Sequence, residues 1–447
     1  ARRAKAHRRR QCQTLSEITN VGRYFMEYTF ENVVQNFIHN IRGMQKSFPL
    51  VMVFMLGTRK KVINDLNEFV SKGIIKVRKT EDDEFIDIVP EEFYKIKKLL
   101  GEIKGTESVI TLIPRSFIVS LISQFDAYFG NIIKTIYYKK PEILSTSEKS
   151  IKYSEIIKIN SIDELKEYII EQEIEAVLRK SHNDQFKWLE NKLNMKLRQG
   201  LNCWPTFIES TERRNLFVHC DGCVSNSYIK NCKEFGVSIN GINVGDKLEV
   251  TREYFTLVCN CILEIGIKLA HVIWRKITPD DRENADNNLN SIVYDFLSEE
   301  DYNLAIVISE FATNVIKKFS SEEIKMYLTV NKIQAYKWSG NEKTCKKMLH
   351  DIDWTALEDK FKLAYYVLLD DYTNAAKIMR RIGNSGVINK VDYKEWPLFK
   401  EFRKSNIFRQ TYEEVFKEKL ILPQIESENQ LIKENILNEI AVSKEKE

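Results

Sequence analysis

Ser116-Phe-Ile-Val-Ser-Leu-Ile-Ser-Gln-Phe-Asp-Ala-Tyr-Phe-Gly-Asn-Ile-Ile-Lys-Thr-Ile-Tyr137 is apolar at most positions, with Ser120, Ser123, Gln124, Asp126 and Asn131 interleaved. That pattern predicts a long helix buried on most of its surface, the central helix of a bundle. Composition agrees. Only 16 Gly and 8 Pro occur in 447 residues, few of the breakers that sheet-rich and loop-rich folds need. The expected fold class is therefore mainly α, with short β-hairpin insertions.

Outward from this helix, Pro141 should end it, and 162–178 and 186–195 supply further amphipathic segments. Another helix is expected from Cys203–Phe207 through His219, closed at Asp221-Gly222, where glycine can take the left-handed cap conformation. Phe235 to Val250 carries turn residues at Asn240-Gly241 and Gly245-Asp246 and reads as a short hairpin. The apolar helix 254–277 closes the unit.

Toward the N-terminus, apolar residues at three- and four-residue steps predict a helix over 14–47 and another over 61–70. Residues 73–89 alternate in two runs around Glu81-Asp82-Asp83, a β-hairpin that is either a nucleic-acid or protein-docking wing or a cap on a helical layer. The first ten residues hold six basic side chains and no acid, either a phosphate-binding arm or an expression remnant.

Toward the C-terminus, Pro279 and the polar run 280–288 read as a linker. Helical hairpins then begin at Asp301, Gly340 and Asp370, 39 and 30 residues apart, bracketing the period of tetratricopeptide-like arrays. Polar residues from Ser427 should pack weakly. A chain this long exceeds one hydrophobic core. The expected domains are an N-terminal helical region at 1–105, a bundle at 106–278 and a helical array at 289–447.

The net charge of +4, from 68 basic and 64 acidic residues, does not by itself imply a nucleic-acid partner. Eight cysteines are too sparse for a disulfide scaffold, which points to a reduced, cytoplasmic protein. The longest unbroken apolar run, Phe48–Leu56, falls far short of the roughly 20 residues a spanning helix needs, so no membrane segment is expected. Cys220 and Cys223, with Cys232 and His219 nearby, make one CxxC with scattered extras rather than the two pairs typical of structural zinc, so neither metal nor cofactor is expected. No phosphate loop, His-Glu-x-x-His or Gly-x-Ser-x-Gly is present, which leaves nucleotide hydrolysis, zinc proteolysis and α/β-hydrolase chemistry without support.

The sharpest local feature is Glu212-Arg213-Arg214-Asn215-Leu216-Phe217-Val218-His219-Cys220-Asp221-Gly222. It resembles the signature of the HEPN family, in which an Arg, often followed by Asn, Asp or His, precedes a His by four to six residues on a late helix of an α-bundle. Arg214 and His219 occupy those positions and Asn215 the polar one. The likeness extends more faintly over 106–277, through Gln124-Phe-Asp-Ala-Tyr128 and Asp221-Gly222-x-Val224. The same Arg–His spacing recurs at Arg2 and His7, so the helical context carries the resemblance.

The resemblance implies a homodimer in which two motifs line one cleft, and metal-independent RNA cleavage by the neighbouring 2′-OH. Arg214 and His219 would be catalytic, Asn215 supporting, and a toxin or antiviral-defence role would follow. Gln124, Asp126 and Glu212 are candidate supporting residues, Arg213 a candidate RNA contact, and the array a surface for a protein or peptide partner. On an ideal helix Arg214 and His219 stand about 140° apart, so they converge best at a frayed end or across a two-fold axis. The plainer alternative pairs Arg214 with Glu212 or Asp126 and leaves His219 capping its helix. At the level of the whole protein, the rivals are a non-catalytic adaptor and a DNA-binding regulator using the arm and wing.

Overall fold

The computed structural model describes residues 28–79, 84–146, 151, 153–157 and 159–421; the basic arm, the first half of the helix expected from 14, the hairpin tip and the tail from Ser427 lie outside them. The fold is mainly helical, and its single sheet among the described residues has two strands. Two compact units divide at 288/289.

In the first unit, α1 (Phe30–Ser71) and α2 (Phe93–Lys139) are long antiparallel partners. Thr29 caps α1 by accepting from Asn32 N–H. The two N-terminal helices expected at 14–47 and 61–70 are one helix in their described part. Pro49 lies inside it without breaking it, because Phe48 is packed between Phe255 and Phe117, at ring distances of 4.4 and 5.2 Å. The boundary expected at 105/106 likewise falls inside α2, which also contains Pro114.

The central helix is as buried as its sequence demands: Ile118, Leu121, Ile122, Phe125, Phe129 and Ile132 are all inaccessible. Helix α7 (Arg252–Ile277) packs beside it and comes so close to α1 that a Cβ on Gly266 would sit 2.3 Å from the Phe37 ring. Phe37 stacks on Tyr128 at 4.0 Å, and Tyr128 donates to the Gly266 carbonyl at 2.7 Å. From Pro49 onward α1 buries Val62 alone, whereas Leu50, Val53 and Phe54 are more than half exposed. The two helices thus project from the bundle, and strands β1 (Ile75–Lys79) and β2 (Glu84–Ile88), in the register Ile75↔Ile88, join their ends. The hairpin is the cap of a helix pair, not the wing of a helix-turn-helix.

By length and composition alone, 90–139 and α7 are long and apolar enough to cross a bilayer, although neither contains an unbroken apolar run of that length; 67% of the apolar window of α7 and 33% of that of 90–139 are buried in the fold. Besides a single turn at Tyr153–Ile156, this unit contains α3 (Ile162–Leu178), α4 (His182–Leu193), α5 (Trp204–His219) and α6 (Asn226–Glu234). The hairpin expected at 235–250 is not a strand pair. Gly236, Gly241 and Gly245 take positive φ, and the segment folds back on 222–224 through Val224 N to Asp246 O and Leu248 N to Gly222 O. The expected linker is also ordered: Trp274 donates to Asp281, Arg275 to Asp286, and α8 runs Arg282–Ser298.

His271 in α7 is inaccessible, and its Nδ1 faces the Arg275 guanidinium at 3.0 Å. Burial first, and Arg275 second, hold it well below the usual imidazole range. The fold therefore excludes a proton that the unfolded chain takes up below about pH 6.5. Its contribution is complete above that pH and is lost as pH falls, by at most about 1.4 kcal/mol per unit. Urea unfolding at pH 7.5 and 5.5 should show the loss, and His271→Gln should flatten it.

The second unit contains α9 (Tyr302–Glu310), α10 (Glu322–Trp338), α11 (Glu342–His350), α12 (Asp359–Leu368), α13 (Tyr372–Ile382), α14 (Lys390–Glu395) and α15 (Asn406–Phe416). The turns after α8, α10 and α12 use one device. Glu300, Gly340 and Asp370 sit at positive φ, and the next residue, Asp301, Asn341 or Asp371, caps the following helix through Leu304, Thr344 or Asn374 N–H. The self-similar starts in the sequence are these turns.

Candidate active site

Helix α5 starts after Cys203 with Pro205 in its first turn, where a missing N–H costs nothing. It ends where Cys220 and Gly222 N–H both reach the Leu216 carbonyl. Gly222, at φ +80°, is required twice over, since a Cβ there would lie 3.2 Å from the Arg115 guanidinium. Arg115 is buried and pairs with Asp221 at 2.9 Å, while Lys247 takes the other Asp221 oxygen at 2.8 Å. The two cations hold the Asp221 carboxyl below its usual range, Lys247 the more strongly.

The inner side of α5 is anchored by Glu209, 7% exposed. Its carboxylate accepts from Tyr228 Oη at 2.7 Å, Tyr254 Oη at 2.6 Å and Arg213 Nε at 2.7 Å. Burial, then Glu209, raises both tyrosine hydroxyls, so they stay protonated and donate. Arg213 also donates to the Glu249 carbonyl and lies 3.8 Å from the Tyr254 ring. At 12% exposure it is a structural cation, which corrects the RNA-contact role expected of it. Glu212 turns to α6 and accepts from Asn231 at 3.0 Å, so it does not pair with Arg214.

The outer side carries the motif. In order around an ideal helix come Arg214, Val218 at about 40°, Asn215 at about 100° and His219 at about 140°. Val218 is 49% exposed, His219 is exposed and has no hydrogen bond or ion pair among the described residues, and Asn215 is half-buried. Arg214 meets Asp126 of α2 by one long contact, Nη2 to Oδ2 at 3.5 Å, and its buried Nε has no partner. The helix is intact through His219, so nothing in one chain brings Arg214 and His219 to a common point.

Gln124 is not with Asp126. Two residues along α2 turn a side chain about 200°, and Gln124 accepts from Asn40 of α1 at 3.0 Å. What sequence reading missed is His182, whose Nε2 lies 2.9 Å from Asp126 Oδ1. The signal was present in Ser181, which caps α4 by accepting from Asp184 N–H and so starts the helix at His182 rather than near Phe186. Among the described residues no group of three or more His, Cys, Asp or Glu could hold a metal ion, and burial followed by Glu209 pushes the Cys232 thiol up to about 12.

Compared with models of known families, with curated proteins and with solved structures, the chain matches none.

Proposed function

We propose that this protein is a metal-independent endoribonuclease of the HEPN kind, acting as a homodimer, and a toxin or antiviral-defence effector. The observation that carries the reading is the outer arc of α5. It presents a partly exposed arginine, held by one long contact to Asp126, and an exposed histidine that has no hydrogen bond or ion pair among the described residues, about 140° apart and flanking the exposed Val218. Two such arcs facing across a two-fold axis would bring Arg214 of one chain near His219 of the other.

In that cleft the 2′-oxygen attacks the adjacent phosphorus. The new P–O2′ bond forms as P–O5′ breaks, leaving a 2′,3′-cyclic phosphate and a 5′-OH. An imidazole can take the 2′ proton or supply the proton that leaves with the 5′-oxygen. Arg214 holds the non-bridging oxygens and stabilises the charge that develops on them. Asn215, between them on the arc, supports the pair. DNA lacks the attacking hydroxyl and is inert. The helical-hairpin array would hold a protein or peptide partner that governs the nuclease.

Mixing two inactive variants tests the composite cleft. Arg214→Ala and His219→Ala subunits, exchanged to equilibrium, should regain roughly a quarter of wild-type RNA cleavage, because half the dimers are mixed and each of these keeps one of the two Arg214–His219 pairs that line the cleft. Complete lack of recovery, with subunit exchange shown by tagged chains, overturns the shared cleft.

A further inference from the structure

We propose that His182 is a positioning residue for Arg214 and acts through Asp126; this rests on the endoribonuclease reading above. One carboxylate links three helices here. Asp126 of α2 offers Oδ1 to His182 of α4 at 2.9 Å and Oδ2 to Arg214 of α5 at 3.5 Å. The two partners are not equally fixed. His182 is 8% exposed, with the Phe207 ring edge-on at 5.5 Å and the Phe125 ring at 6.3 Å, and its backbone opens a capped helix. Arg214 is 24% exposed and has no other polar contact among the described residues.

Asp126 is itself 27% exposed and, without His182, would be free to rotate toward water. The packed histidine sets the carboxylate, and the carboxylate sets where the guanidinium stands before a phosphate arrives. With its ring buried and Nε2 engaged, His182 touches no substrate. It fixes a group that does, and displacement of such a group by about 1 Å can cost on the order of 100-fold in rate.

The test uses the full chain and a single-stranded RNA, with kcat and KM measured separately and thermal unfolding followed for each variant. Glutamine can place its amide nitrogen near Nε2, asparagine only near Nδ1, and leucine fills the volume without a donor. His182→Leu and His182→Asn should lose about 10–100-fold in kcat with KM within about twofold, whereas His182→Gln should stay within about threefold of wild type. In an Arg214→Ala background, His182→Leu should add no further loss under single-turnover conditions. Equal rates for all three variants, or the same extra loss without Arg214, overturn the inference. Should the leucine variant fail to fold, the glutamine and asparagine pair decides it alone. A wild-type chain that cleaves normally while His182→Leu is unaffected sinks this inference only; a wild-type chain that cleaves no RNA sinks the endoribonuclease reading and this with it.

Discussion

His219→Ala should lower RNA cleavage by about 10²–10⁴-fold, the range over which a positioned acid or base contributes. It should do so without changing stability. The imidazole is exposed and makes no hydrogen bond or ion pair among the described residues, so its removal leaves no buried group unpaired. Unfolding in urea should therefore coincide with wild type while initial rates on a single-stranded RNA collapse. Arg214→Ala should give a loss of similar size, and Arg214→Lys should rescue little, because an ammonium keeps the charge but not the planar fork that spans two phosphate oxygens. Undiminished cleavage by His219→Ala would end the case for catalysis at this helix, whereas a wild-type chain that cleaves no RNA would leave the non-catalytic adaptor as the better account.

The largest effect on stability should come from Glu209→Ala, at about 3–5 kcal/mol, the cost of breaking a buried ion pair by removing one partner. The variant leaves the Arg213 guanidinium, 12% exposed, without its counter-charge and two tyrosine hydroxyls without their acceptor. Glu209→Gln should cost less, since an amide oxygen still accepts two of the three bonds, though not the charge of Arg213. Chemical denaturation followed by circular dichroism separates the two. Equal stability of Glu209→Ala and wild type would mean that the Tyr228–Glu209–Tyr254 cluster does not hold α5 in place. Because Glu209 precedes Arg214 by little more than one turn, the alanine variant should also lose cleavage, through displacement of the helix.

Helix content and the course of the core were legible in the sequence because periodic burial is a local property. Most apolar positions from Ile118 to Tyr137 read as buried and are buried. Breaks were read less well. The break expected between 47 and 61, the boundary at 105/106 and the linker at 280–288 all lie within or against helices: Phe48 packs on Phe117 and Phe255, far along the chain, and the Arg275–Asp286 pair ties the polar run back to α7, so packing overrides local preference. At the site, Arg214, Asn215 and His219 could be singled out because they share one helix and a recognisable spacing. His182 could not, since its link to Asp126 spans 56 positions and depends on how α4 returns to α2. Arg213 and Arg214 show the same limit: adjacent and chemically identical, they are divided into a buried strut and an accessible cation by about 100° of helical rotation.

The projecting helix pair has a mechanical consequence. Pro49 follows Phe48 by one residue and Pro114 precedes Phe117 by three, so each helix lacks a backbone hydrogen bond within a turn of the same aromatic clasp. The clasp is a fulcrum. From it α1 alone runs on to Ser71, about 33 Å at 1.5 Å per residue, so a bend of a few degrees at the prolines moves the far end of α1, where β1 begins, by about 2 Å while the packed bundle stays still.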